Sequence, residues 1–237
     1  MVGNMAASVK NSGKSKKRAA RKVADYTSPA RLKIIFVALE RLFPNAECAL
    51  KHDNAFQLLV STILSAQCTD ERVNKVTPEL FRKHPTPADF AALRPEELAE
   101  EIRSTGFFRN KAKNITAAAA KIVGEFGGKV PQTMDELLEL PGVARKTANV
   151  VLGTAYGLPT GIVVDTHVFR IAHRLKLSLE KTPEKVEQDL IKIVPQEHWI
   201  IFGHQMIWFG RKICQARRPL CAACPIEGIC DSSDKTV

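Results

Sequence analysis

Apolar residues recur at three- and four-residue intervals along nearly the whole chain, so the sequence predicts one helix after another. Ser28-Pro29 offers an N-cap and a first-turn proline, after which Leu32, Ile35, Phe36, Leu39, Leu42 and Phe43 form one stripe. Leu58, Leu59, Ile63 and Leu64 mark a second, strongly apolar helix that ends near Ser65-Ala66-Gln67. Thr69 caps a third, with Asp70 and Glu71 in its first turn and Val73, Val76 and Leu80 on one face. Shorter pieces are predicted at 87–92 and 95–103, and a longer helix at 108–124, stopped by Gly127-Gly128. Thr133-x-x-Glu136 reads as a capping box. Further helices are predicted at 143–156, 166–176, 183–194 and 197–211. Only Gly161 to Val164 hints at extended chain, too little for a sheet. The fold class is all-α.

Composition adds few constraints beyond this. With 237 residues, 45% hydrophobic and 25% charged, the chain has the make-up of a soluble globular protein with a real core. No apolar run approaches the ~20 residues of a membrane span. The formal charge of +10 is unevenly spread: residues 1–24 hold seven Lys and Arg and no acid. That stretch, to about residue 26, reads as a disordered basic tail. It lacks the apolar core of a secretory signal, and its lysines outnumber its arginines, against a mitochondrial presequence. The remaining positive balance favours a polyanionic partner. Cys48 and Cys68 fall inside apolar patterns and read as small core residues, in keeping with a reducing, cytoplasmic setting.

The other four cysteines, Cys214, Cys221, Cys224 and Cys230, are spaced C-x6-C-x2-C-x5-C within seventeen residues. Four thiolates on short loops can surround one metal centre. Zinc ribbons usually show two short C-x2-4-C knuckles, and here there is one, so the longer arms favour a [4Fe–4S] cluster over zinc, with disulfides the bland alternative.

A second motif is Leu140-Pro141-Gly142-Val143-Ala144-Arg145-Lys146-Thr147-Ala148. Pro141-Gly142 breaks one helix and the next restarts almost at once, leaving backbone N–H groups at a helix N-terminus, where phosphate binds. A Pro-Gly turn alone would be an ordinary connection. Here Leu140 and Val143 flank it, and Arg145 and Lys146 follow it. LPGVARKTANVVLG resembles the helix–hairpin–helix of base-excision DNA glycosylases. VVDTHVFR at 163–170, LLVSTILSAQCTDERVN at 58–74 and the four-cysteine loop are similar to the same superfamily, in the same order, and above all to its bacterial endonuclease III branch. One departure is Ala144, where that hairpin is often written with glycine. A positive φ there would cost alanine about 1 kcal/mol. A place in the helical first turn would suit it, and helix propensity points to the second case.

The resemblance implies two lobes, a six-helix barrel near 48–158 and a second lobe from 27–47 plus 159–237 that carries the iron–sulfur loop. It implies Lys146 and Asp165 as catalytic residues on damaged double-stranded DNA, acting as a monomer with no membrane association. A carboxylate stabilises the sugar cation formed as a glycosidic bond breaks. An amine attacking C1′ expels the base and leaves a Schiff base, from which β-elimination nicks the strand. The target base must be flipped out, and the resemblance makes Gln67 the residue that fills the gap. Gly142, Val143, Ala144, Arg145 and Thr147 become phosphate contacts, with Arg211 beside the cysteine loop. Taken singly, Lys146 would be a solvated lysine, Asp165 a helix cap and Gln67 a surface residue. Excision of oxidised or ring-damaged pyrimidines is the leading reading. A mismatch glycosylase without a nucleophilic lysine and a non-catalytic DNA-binding module are the alternatives.

Overall fold

The computed structural model describes residues 26–236, so the basic tail lies outside the described residues apart from its last position. Helices α1 to α11 span Pro29–Leu42, Ala55–Leu64, Asp70–Lys83, Pro87–Ala92, Pro95–Glu101, Phe108–Glu125, Met134–Leu138, Arg145–Tyr156, Thr166–Arg174, Pro183–Ile193 and Trp199–Lys212. Short 3-10 turns lie at Arg103–Thr105, Gln196–His198, Cys221–Ala223 and Glu227–Ile229. No strand occurs among the described residues, and none of their helices is long and apolar enough to cross a membrane.

Contacts divide the chain into two units. One comprises Glu47–Val163 with Gln196–His204. Its centre is α2, buried on every side through Phe56, Leu58, Leu59, Val60, Ile63 and Leu64, which is why that helix reads as apolar all round rather than striped. Helices α3, α6 and α8 pack on it, while α4 and α5 lie along α6. Each fully buried Leu, Ile or Phe contributes about 1.5–3 kcal/mol. The Phe56 and Phe90 rings meet edge-on at 5.3 Å. Residues 159–163 and 196–204 belong here, whereas the sequence reading assigned them to the other lobe. The reason is packing: Ile200 lies over Gly153, where a Cβ would stand 3.3 Å from it, and Val163 backs Gly203.

The other unit gathers the described part of Met1–Ala46 with Val164–Pro195 and Gln205–Val237. Leu32, Ile35 and Leu39 of α1, Val168 and Ile171 of α9, Val186 and Leu190 of α10, and Met206 and Phe209 of α11 are its buried faces. Arg31 donates to the carbonyls of Leu175 (2.8 Å) and Ile229 (2.9 Å), tying α1 to the end of α9 and to the cysteine loop.

Several helix ends follow the expected chemistry. The Thr69 hydroxyl accepts from the Arg72 amide at 3.3 Å. Thr133 caps α7 through the Glu136 amide, but the Glu136 carboxylate takes the Thr133 hydroxyl at 2.6 Å rather than the threonine amide, so the expected reciprocal box does not form. A true capping box stands instead at Thr86 and Asp89.

Candidate active site and cysteine loop

The hairpin between α7 and α8 is shaped by Gly142. Its φ is +79°, and a Cβ there would fall 2.8 Å from the Asn114 Cβ, so both backbone and packing demand glycine. Leu140 and Val143 are buried beneath the turn, closed by the Val143 amide on the Leu140 carbonyl at 3.1 Å. Ala144 has φ −99° and ψ 169°. This corrects the expectation of a helical first turn: Ala144 is the extended N-cap, with no positive-φ strain and no use for its helix propensity. Its methyl cannot cap the start of α8. A helix start whose N-cap residue offers no side-chain acceptor suits an external one. Gly142→Ala is expected to cost about 2 kcal/mol or more, seen as a Tm lowered by roughly 4–8 °C for a chain this size.

Lys146 stands in the first turn of α8. It is exposed and makes no hydrogen bond or ion pair within the described residues. Arg145 and Thr147 beside it are half-buried.

Asp165 is the N-cap of α9. Its Oδ1 accepts from the amides of His167 (2.8 Å) and Val168 (2.9 Å). One oxygen thus fixes the carboxylate to the helix, and the other remains open to a partner outside the described residues. His167 supports this turn: its Nδ1 faces Arg170 Nη2 at 3.3 Å, and burial, then the Arg170 and Arg211 charges, push its imidazole below the usual histidine range despite Asp165. Gly210 lies against it so closely that a Cβ would meet the His167 Cβ at 2.8 Å.

Gln67 is exposed three residues after α2 and has φ +53°, a left-handed conformation rare outside glycine. Phe107, which the sequence reading passed over, shares this feature: φ is +48° and the side chain is 62% exposed at the start of α6. Its only sequence signal is the Gly106-Phe107-Phe108 run, which periodicity absorbs into the helix.

Cys214, Cys221, Cys224 and Cys230 line one cavity with apolar walls from Leu175, Phe209, Ile213 and Leu220. Burial pushes the Cys214 and Cys224 thiols up. No three of the described His, Cys, Asp or Glu side chains are grouped to hold a single metal ion. The loop is held from α9. Arg174, 8% exposed, donates to the carbonyls of Gln215 (2.7 Å) and Ala216 (3.0 Å), to the Cys214 sulfur (3.2 Å) and to Asp234. Arg170 Nη2 reaches the Cys214 carbonyl at 2.8 Å. Nothing in the sequence marks these two arginines as different from other cations on a helix. Arg211, in the last turn of α11, lies over the Trp208 ring at 5.5 Å, while Arg217 and Arg218 are exposed in the loop.

Residues 60–196 match the model of the HhH-GPD superfamily of base-excision DNA repair proteins. The chain is 54% identical to endonuclease III of Synechocystis over 84% of this chain and 91% of that one. It is 40% identical to endonuclease III of Escherichia coli over 85% and 95%. Among solved structures, a non-covalent endonuclease III–DNA complex superposes with a TM-score of 0.83 at 46% identity, covering 86% of this chain and 95% of that one. A trapped covalent endonuclease III–DNA intermediate gives the same score and identity. A thermostable thymine-DNA glycosylase shares the fold at 21% identity and a TM-score of 0.71.

Proposed function

Because the chain belongs to the HhH-GPD superfamily of base-excision DNA repair proteins, and within it to the endonuclease III family, it is a DNA glycosylase and abasic-site lyase acting on damaged DNA, and we propose that it removes oxidised or ring-damaged pyrimidines from duplex DNA through Lys146 and Asp165. Two observations, each within its own unit, support this reading: Lys146 is exposed and makes no hydrogen bond or ion pair within the described residues, and Asp165 spends one oxygen on its own helix and keeps the other free. The Lys146 amine, once relieved of its proton, attacks C1′ of the damaged nucleotide. The bond from C1′ to the base breaks, the base leaves with the electron pair and is protonated, and Asp165 stabilises the cationic sugar in between. The C1′–O4′ bond of the resulting adduct then opens, O4′ taking a proton, and the Schiff base so formed acidifies the C2′ hydrogen. Its loss expels the 3′ phosphate, which nicks the strand. Desolvation by bound DNA supplies the deprotonated amine. A relative caught as a covalent intermediate on DNA supports a route of this kind.

The start of α8, from Gly142 to Thr147, suits a backbone phosphate, and Arg211 with the exposed Arg217 and Arg218 suits others. Gln67 and Phe107, held out in left-handed conformations, suit the space that a flipped base vacates. A monomer acting on chromosomal DNA in the cytoplasm accords with this set. The mismatch-glycosylase alternative uses water in place of an amine, so one assay divides them. A panel of duplexes carrying different lesions, scored for released base and for nicking, tests the reading. Excision of mispaired normal bases with no nicking would replace it.

The cysteine loop fits a [4Fe–4S] cluster. The four cysteines line one cavity with apolar walls, and Arg174 and Arg170 offer N–H groups and positive charge beside Cys214. Cys214, Cys221, Cys224 and Cys230 would hold it, and it would serve as scaffold for the loop's cations. Protein purified under mild conditions is expected to be yellow-brown, with broad absorbance near ~400 nm. Cys221→Ala should lose that colour together with the folded cysteine loop, since cluster binding and folding are coupled. Colourless protein with one stoichiometric zinc would overturn the assignment.

A further inference from the structure

Lys111 is a buried ammonium that the chemistry above does not use. It lies one turn into α6 and is 4% exposed. Its Nζ donates to the carbonyl of Leu64, the last residue of α2, and to the carbonyl of Thr105, which ends the turn Arg103–Thr105, each at 2.8 Å. No carboxylate pairs with it within the described residues, and Cys68 is the neighbour that favours its charge, so burial holds its amine below the usual lysine range. An ammonium is costly to bury and adds nothing to core packing that a methionine would not.

Its two acceptors explain its place. Both close helical segments, whose last carbonyls lack partners and carry the negative end of the peptide dipoles. Just beyond Leu64 stands Gln67 at φ +53°, and just beyond Thr105, after Gly106 at φ +69°, stands Phe107 at φ +48°. Two of the three described non-glycine residues with positive φ therefore follow the two carbonyls that one side chain holds. Left-handed conformations of this kind persist only where the surroundings impose them.

We infer that Lys111 is a positioning residue, clamping the ends of α2 and of the Arg103–Thr105 turn so that Gln67 and Phe107 are presented to the duplex together. The inference rests on the reading of Gln67 and Phe107 as fillers of the base stack. A filler matters only where a partner strand must stay stacked, so the clamp acts on duplex substrates and far less on a single strand.

The test uses the full chain, a duplex bearing an oxidised pyrimidine, and the same strand unpaired. Lys111→Met removes charge and donors at similar volume. It is expected to lower kcat/KM on the duplex by roughly ten-fold or more, chiefly through KM, with a much smaller loss on the single strand. Lys111→Arg, which can still reach both carbonyls, should recover most of the loss. Gln67→Ala and Phe107→Ala set the reference and should also lose activity selectively on duplex. Adding Lys111→Met to that pair should cost little more, because what the lysine positions is already gone. Equal losses on both substrates, no loss, or a fully multiplicative triple variant would overturn the inference. If Gln67→Ala and Phe107→Ala are themselves without effect on duplex, the filler reading fails and the inference falls with it. If they are duplex-selective while Lys111→Met is not, the inference alone fails. Should the methionine variant not fold, Lys111→Gln, which keeps a neutral NH2 donor group on a shorter arm, is judged by the same criteria.

Discussion

Lys146→Gln is expected to abolish borohydride trapping and strand nicking together, while lesion-DNA affinity changes by only a few-fold. A Schiff base requires an amine, and reduction converts that imine into a stable secondary amine linking protein to sugar. Glutamine keeps the length and polarity of the side chain but cannot form the imine. Binding survives because one cation is lost among several, which removes at most about one unit from the slope of log K against log[salt]. The fold survives as well, since Lys146 is exposed and makes no hydrogen bond or ion pair within the described residues. The assay is a gel that resolves trapped, nicked and intact DNA after incubation with and without borohydride, alongside a titration of binding at several salt concentrations. A variant that still traps would assign the nucleophile to another amine. Wild-type protein that releases the base but never traps would assign the attack to water and restore the mismatch-glycosylase reading.

Much of the fold is legible in the sequence because most helices here carry their own punctuation. Thr69 and Thr182 cap helices with their side chains, Pro29 opens α1 although the Ser28 side chain makes no cap bond, and Gly157 at φ +67° ends α8. The hairpin was legible because Pro141-Gly142 is local. What escaped were features that depend on distant neighbours. Ala144 reads as helical by propensity, yet the turn geometry imposed by Gly142 leaves it extended. Lys111 looks like any polar position of an amphipathic helix. Only the fold reveals that its face is turned inward onto Leu64 and Thr105. Arg170 and Arg174 look equally ordinary, and their grip on the 214–216 carbonyls links residues 41 to 44 positions apart. Gln67 was found through a motif, while its left-handed backbone, the physical reason to suspect function, has no sequence signature at all.

Asp165→Asn separates two duties that one side chain performs. The Oδ1 of Asp165 caps α9 through the His167 and Val168 amides. Asparagine caps a helix about as well as aspartate, so this variant should keep its Tm, whereas Asp165→Ala should lose about 1 kcal/mol along with the cap. Charge is what asparagine removes. The sugar cation that forms as the base departs then lacks its counter-charge, and base excision should fall by about two to three orders of magnitude, in the range seen when one preorganised stabiliser of developing charge is deleted. A preformed abasic site has no base to expel. Schiff-base formation and β-elimination there do not pass through the same cation, so nicking of that substrate should fall far less. Single-turnover excision from a lesion duplex, set against nicking of an abasic duplex of identical sequence, gives the two rates directly. Equal losses on both would mean that the carboxylate serves proton transfer in the lyase steps rather than the departure of the base. Loss of Tm in the asparagine variant would mean that its effect on rate is a folding defect. Unchanged excision would remove Asp165 from the catalytic pair and leave it a helix cap.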